Sequence, residues 1–313
     1  MFMLDTYPNR QTFTKTLLSL ARKDTRIIAL ASDSRGSASL DEFANELPSQ
    51  FVEVGIAEQN LVSIAAGLAR CGKIPFACSP ACFLSMRSIE QIKVDVAYSR
   101  TNVRLIGISG GVSYGALGST HHSLQDLAVT RAIPGMTVIV PSDNTEMEGI
   151  TKLLVGYDGP VYLRTGRGPV PDVHDGDFIP EIGKGCVLLP GDDITIVAMG
   201  EILRIALDAG YMLQKQGISA RVIEIHTIKP LDEQLILKAA KETKAMITVE
   251  EHSIYGGLGG AIAELISQNQ PLPIKIIGIP DESVITGTQA EIFQHYGLTA
   301  ERIVKDAANL LKN

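Results

Sequence analysis

The chain contains no tryptophan and only four cysteines in 313 residues, and its 28 Lys and Arg are outnumbered by 35 Asp and Glu. Each shortage excludes a class of protein. Cys71, Cys78, Cys82 and Cys186 are too few for a disulfide-stapled scaffold. Cys78 and Cys82 lie close together, but no second pair or histidine cluster stands at zinc-finger spacing. No metal ligand is therefore assigned, and buried, reduced thiols in a cytoplasmic protein are expected. A formal charge of −7 argues against a broad nucleic-acid footprint. No apolar run approaches the ~20 residues of a membrane span. The opening "MFMLDTYPNRQ" lacks the basic flank, apolar stretch and cleavage site of a secretory signal. Neither nucleic acid nor membrane is expected as a partner.

What the chain has is alternation. "RIIALASD" (26–33), "FVEVG" (51–55), "IPFACS" (74–79), "VRLIGIS" (103–109), "MTVIVPS" (136–142) and "PVYLRT" (160–165) are short runs rich in Val and Ile. Between them lie longer segments of three-to-four periodicity, such as "AEQNLVSIAAGLARC" and "FLSMRSIEQIKVDVAYS". Strands alternating with helices imply βαβ units and a mostly parallel sheet covered on both faces. "TGRGPVPDVHDGDFIPEIGKG" (165–185) is dense in Gly, Pro and Asp and reads as a linker. Alternation then resumes in "DITIVAMG", "ARVIEIHTI", "AMITVEEH" and "IKIIGIP". The expected architecture is α/β, two doubly wound domains with mostly parallel sheets: 1–170, a linker over 171–189, and 190–313.

Ligands of doubly wound folds gather beyond the carboxyl ends of the strands. Asp33, Glu58, His121 and Arg164 all follow or close predicted strands. Singly, each has a plain structural reading: a turn cap for Asp33, a helix-dipole partner for Glu58, a surface ion pair for Arg164. The stretch "SGGVSYGALGSTHHSLQDLA" (109–128) is long for a βα connection, and such loops are usually functional. Its glycines permit close approach to a ligand. Its adjacent His121 and His122 must diverge, one expected toward the cleft and one outward. "YGGLGGAIAEL" (255–265) suggests a dinucleotide fingerprint, but from Gly257 the sixth position is Ile262, so nicotinamide binding is not expected.

In order along the chain, "ASDSRGS", "FVEVGIAEQN", "SPACFLSMRSIEQIK", "GSTHHSLQDLAVTRAIPGMTVIVPSD", "VYLRTGRG", "IHTIKPLD" and "VEEHSIYGGLGGAIAE" resemble the thiamine-diphosphate enzymes of the transketolase group. The resemblance spans nearly the whole chain and matches the pyrimidine-binding and carboxyl-terminal domains. The family's diphosphate-binding domain, marked by Gly-Asp-Gly and a downstream Asn, has no counterpart here. The resemblance therefore implies one subunit of a split transketolase. An amino-terminal partner subunit would supply the diphosphate site and its Mg²⁺, and an α2β2 heterotetramer is expected.

The resemblance also implies roles. The acid matching Glu58 meets N1′ of the cofactor's aminopyrimidine, and sharing a proton there makes the reactive tautomer accessible. Phe83 matches an aromatic stacking near that ring, and Asp33 an acid near the cofactor at the subunit contact. His121 matches a histidine close to the donor's first hydroxyl. Arg10, Ser37 and Arg164 match groups that hold a sugar phosphate. Two positions depart from the family: Leu117 stands where an acid is usual, and Ser109 where a second histidine is usual. A branched, deoxy or otherwise modified sugar is therefore expected in place of the usual pentose phosphates. The rival readings are the beta subunit of a 2-oxo-acid dehydrogenase first component, a deoxyxylulose-phosphate-synthase-like enzyme, and a non-catalytic interaction subunit that keeps the fold.

Overall fold

A computed structural model describes residues 7–312. The six Val- and Ile-rich runs become β1 (Ile27–Ala31), β2 (Phe51–Glu53), β3 (Ile74–Pro80), β4 (Arg104–Ile108), β5 (Thr137–Ile139) and β6 (Val161–Arg164). The remainder supplies β7 (Cys186–Leu189), β8 (Ile194–Ala198), β9 (Ala220–Glu224), β10 (Thr227–Lys229), β11 (Ala245–Ser253) and β12 (Ile274–Ile279). They form a seven-stranded sheet in the order β10-β5-β6-β4-β3-β1-β2 and a five-stranded sheet in the order β12-β11-β8-β9-β7. Among the described residues, only the edge strands β10 and β7 run antiparallel to their neighbours. The central strands are apolar on both faces because helices cover both; β1, β3, β4, β6 and β8 are buried throughout.

The first sheet is flanked by α1 (Asn9–Ala21), α2 (Asp41–Glu46), α3 (Glu58–Arg70), α4 (Ala81–Arg87), α5 (Ile89–Gln91), α6 (Asp126–Ala132) and α7 (Asn144–Gly156). The second is flanked by α8 (Leu203–Lys215), α9 (Glu233–Glu242), α10 (Leu258–Asn269), α11 (Gln289–Tyr296) and α12 (Ala300–Leu310). The segment "FLSMRSIEQIKVDVAYS" is not one helix. Ser85 and Ser88 donate back to the carbonyls of Ala81 and Leu84, at 2.7 and 2.5 Å, which loosens the helix where α4 ends. Ile92–Tyr98 then continues in the wider π form.

Two findings differ from the sequence reading. "ARVIEIHTI" is split: β9 stays in the second sheet, while β10 crosses over and pairs with β5 of the first. The switch occurs at Ile225 and His226, whose backbone bonds go to opposite sheets. Ile225 N–H donates to Ala198 O (3.0 Å), and His226 O accepts from Val140 N–H (2.7 Å). The end of the predicted linker, moreover, is the edge strand β7. One apolar core accordingly runs through both halves, joining Val140 and Tyr162 to Met199, Ile223 and Leu258.

The thiols also divide. Cys78 and Cys82 are buried, and burial pushes Cys82 up to about 12. Cys71, expected to be buried, is exposed just beyond the last turn of α3. Among the described residues no helix is long and apolar enough to cross a membrane.

Candidate active site at the carboxyl edge of the first sheet

Glu58 opens α3 with no side-chain cap before it, so its carboxylate, only 5% exposed, lies at the positive end of the helix. Its hydrogen bond comes from Arg87, at the end of α4, whose Nη1 donates to Oε1 at 2.8 Å. The Arg87 guanidinium lies 3.9 Å above the centroid of the Phe83 ring. Phe83 in turn meets His121 edge-on, ring centroids 5.2 Å apart. On its other side His121 contacts Tyr114 at 5.4 Å. Side chains from the ends of three strands thus form one contiguous row.

The row continues into a cationic corner. Arg167 caps the Tyr114 ring at 4.7 Å and its Nη1 lies 3.4 Å from Ser109 Oγ. Arg10, in the first turn of α1, donates from Nη1 to Ser37 O at 2.8 Å, and its Nε is buried with no acceptor. Burial, and then the positive charge of Arg167, push Arg10 below its ordinary value. Two guanidinium groups brought close enough to repel, one with an unused buried donor, suit an anion.

Asp33, two residues beyond β1, is in the left-handed region (φ 54°) and exposed, and its N–H donates to Glu53 Oε1 at 2.7 Å. His121 and His122 do diverge, but the second does not point outward as expected. His122 is buried beneath the loop with Nε2 3.0 Å from Gly115 O, and burial lowers its affinity for protons. His121 keeps Nδ1 on Thr120 Oγ1 at 2.9 Å. The loop's position is fixed from the second half of the chain. Ser119 Oγ donates to Val284 O at 3.3 Å, and a Cβ on Gly115 would fall 2.8 Å from Gly287 O.

Arg164 is the main correction. Expected to hold a sugar phosphate, it is 5% exposed and turned into the seam between the halves. Nη2 donates to Glu251 O at 2.6 Å, and Asp126 Oδ1 lies 3.7 Å from Nη1. A Cβ on Gly110 would fall 1.9 Å from Arg164 Nε, and one on Gly111 2.3 Å from Glu251 Cδ. Those two glycines make room for this ion pair, not for a ligand. Arg167, unassigned in the same "VYLRTGRG", is the arginine that reaches the cleft; Tyr114 and Arg87 carried no sequence assignment either. The one available signal was position: Arg164 is the last residue of a buried strand, whereas Arg167 lies beyond it.

The other glycine-rich turn also serves the protein itself. Glu250 accepts from the backbone N–H groups of Leu258 and Gly259 at 2.7 and 2.8 Å, which fills the amino end of α10. A Cβ on Gly257 would lie 1.9 Å from Glu250 Oε2.

Taken as a whole, this edge places a buried carboxylate and an aromatic face beside a cationic corner. The halves match two family models, the pyrimidine-binding domain of transketolase over residues 5–172 and the transketolase C-terminal domain over 183–303. The chain belongs to the transketolase family, as one component of the split type. It is 55% identical over 304 residues to one of the subunits of the apulose-4-phosphate transketolase of Phocaeicola vulgatus, covering 97% of each chain. It is 39% identical to a 6-deoxy-6-sulfo-D-fructose transketolase subunit of a Clostridium species, covering 95% of this chain and 92% of the relative. A solved split-gene transketolase, described as an inactive beta4 tetramer, superposes with a TM-score of 0.90 at 38% identity, covering 97% of this chain and 98% of that one.

Proposed function

We propose that this chain is the pyrimidine-side subunit of a thiamine-diphosphate-dependent transketolase that moves a two-carbon ketol unit from a branched or otherwise modified sugar phosphate, of the apulose 4-phosphate kind, to an aldose phosphate. The observation that carries this reading is the unbroken row Glu58, Phe83, His121, together with the Arg10 and Arg167 pair beside it. The residues present fit the cofactor's ring, since Glu58 and Phe83 already hold a flat N–H donor between them in the form of Arg87. When bound, thiamine diphosphate supplies the electron sink that allows a carbon–carbon bond beside a ketone to break. Glu58 holds a proton at N1′, and Phe83 fixes the plane of the ring. His121, with Nδ1 occupied by Thr120, offers Nε2 to a donor hydroxyl. Arg10 and Arg167, with Ser37 and Ser109 at their sides, hold the phosphate. Asp33 stands at the contact with the partner subunit.

Magnesium and the diphosphate belong to that amino-terminal partner, and the complex works as an α2β2 heterotetramer in the cytoplasm. The relative's inactive beta4 tetramer supports the dependence on a second kind of chain. The test is reconstitution with the chain that carries Gly-Asp-Gly and its Asn, followed by assay with apulose 4-phosphate and with xylulose 5-phosphate as donors. Turnover that requires both chains and prefers the branched donor is expected. Pyruvate decarboxylation would replace this reading with the dehydrogenase or synthase alternatives, and turnover by the isolated chain would overturn it.

A further inference from the structure

We infer that Arg87 is a resident occupant of the pyrimidine seat, so that cofactor capture must displace it. The inference rests on the function proposed above for what the seat receives. A guanidinium is a flat, cationic N–H donor, in those respects like a protonated aminopyrimidine. In this structure it makes two contacts: it donates to Glu58 Oε1 at 2.8 Å, and its Cζ lies 3.9 Å from the centroid of the Phe83 ring. A ring that hydrogen-bonds Glu58 and stacks on the same face of Phe83 overlaps the Arg87 head. The arginine is free to leave. Its side chain is 47% exposed, against 5% for Glu58, and among the described residues its polar and ring contacts are with Glu58 and Phe83. It extends from the last residue of α4, where the helix is already interrupted by the serine back-bonds at 85 and 88. The same depression is lined by Ile56, Gln59, Asn60, Ser63 and Gln91, and none of these is a second cation that takes over Glu58.

Arg87 thereby covers the seat while holding Glu58 and Phe83 in register. An ion pair with one half-exposed partner and one cation–π contact are each modest, so the barrier to entry is small and reversible.

The experiment is calorimetric titration of thiamine diphosphate into the two-chain complex, with wild type, Arg87→Ala and Arg87→Met, each checked by melting temperature. Removing the guanidinium should tighten the cofactor by about three- to tenfold. Low-millimolar guanidinium chloride should then weaken binding to Arg87→Ala, by refilling the seat, while leaving wild type unaffected. Weaker binding in both variants would overturn the inference and make Arg87 a cofactor ligand; unchanged binding would make the ion pair a bystander. A wild-type complex that bound no thiamine diphosphate would instead refute the proposed function, a distinct outcome.

Discussion

Two clusters in this molecule each combine a carboxylate, an imidazole and an aromatic ring, and they end in opposite states. Under the segment 165–185, His174 is clamped between Asp143 Oδ2 (3.0 Å from Nδ1) and Glu224 Oε2 (3.1 Å from Nε2). Each carboxylate is further engaged. Asp143 accepts from the backbone N–H groups of Glu146, Val173 and His174, and Glu224 accepts from Ser142 Oγ at 2.8 Å and from the Cys186 thiol at 3.4 Å. Phe178 stacks on the imidazole at 3.9 Å. At the sheet's carboxyl edge, by contrast, Glu58 has one half-exposed partner and Arg10 a buried Nε with none. A polar cluster that saturates itself holds structure, while one that leaves donors and acceptors unused is prepared for a ligand. Residue type does not separate the two; satisfaction of hydrogen bonds does.

The comparison breaks if each cluster's job can be exchanged. Glu58→Ala should cost the reconstituted enzyme roughly 10³-fold in turnover, ~4 kcal/mol of barrier, because no other group in the row can hold the ring proton. Its melting temperature should barely change, since the lost ion pair has a half-exposed partner. A variant that keeps wild-type turnover would return the chain to the non-catalytic interaction reading.

His174→Ala should do the reverse. It leaves Asp143 and Glu224 buried without their shared donor, at a cost of about 3 kcal/mol or more in unfolding free energy. This loss should depend on pH. Burial works against the imidazolium, but hydrogen bonds to Asp143, Cys186 and Glu224 outweigh it and push His174 up from 6.5 to about 12. A folded value above the unfolded one means the stabilisation is complete below pH 6.5 and declines as pH rises from there toward 12. The gap between wild type and His174→Ala in denaturant unfolding should therefore narrow steadily across the alkaline range. A gap that widens with pH, or a variant that unfolds normally but does not turn over, would remove the distinction between the clusters.

The sequence carried the first cluster far better than the second. Glu58 follows a Val- and Ile-rich run and His121 lies in the long loop after another, where the rule that ligands gather at the carboxyl ends of parallel strands places both; Phe83 came only with the family resemblance. His174 meets partners 31 and 50 positions away, across a segment with no periodicity, and no spacing rule anticipates that. β10 was illegible for a related reason: "ARVIEIHTI" has strand composition throughout, and nothing local marks the point where its backbone bonds change sheets. Arg164 and Arg167 show the limit at one motif. Of the two, Arg164 alone was expected to hold a phosphate, but the space left by Gly110 and Gly111 lets it turn inward to Glu251 and Asp126.

The smallest effect, and the sharpest probe of the cleft, is at Leu117. It lies in the turn Gly115–Thr120, between Tyr114 and His121, and it is 54% exposed, so it contributes little to packing. The turn is anchored to Val284 and Gly287, which holds position 117 at a fixed place on the active-site loop. Leu117→Glu should change stability by no more than about 0.5 kcal/mol. It restores a carboxylate where the family uses one, and a site that hydrogen-bonds a hydroxyl discriminates far more strongly than one that merely accommodates it. The ratio of kcat/KM for xylulose 5-phosphate over the branched donor should rise by about three- to tenfold, the worth of one exposed hydrogen bond. An unchanged ratio would move donor choice to the Ser109 and Arg167 corner, where the hydroxyl and guanidinium already lie 3.4 Å apart.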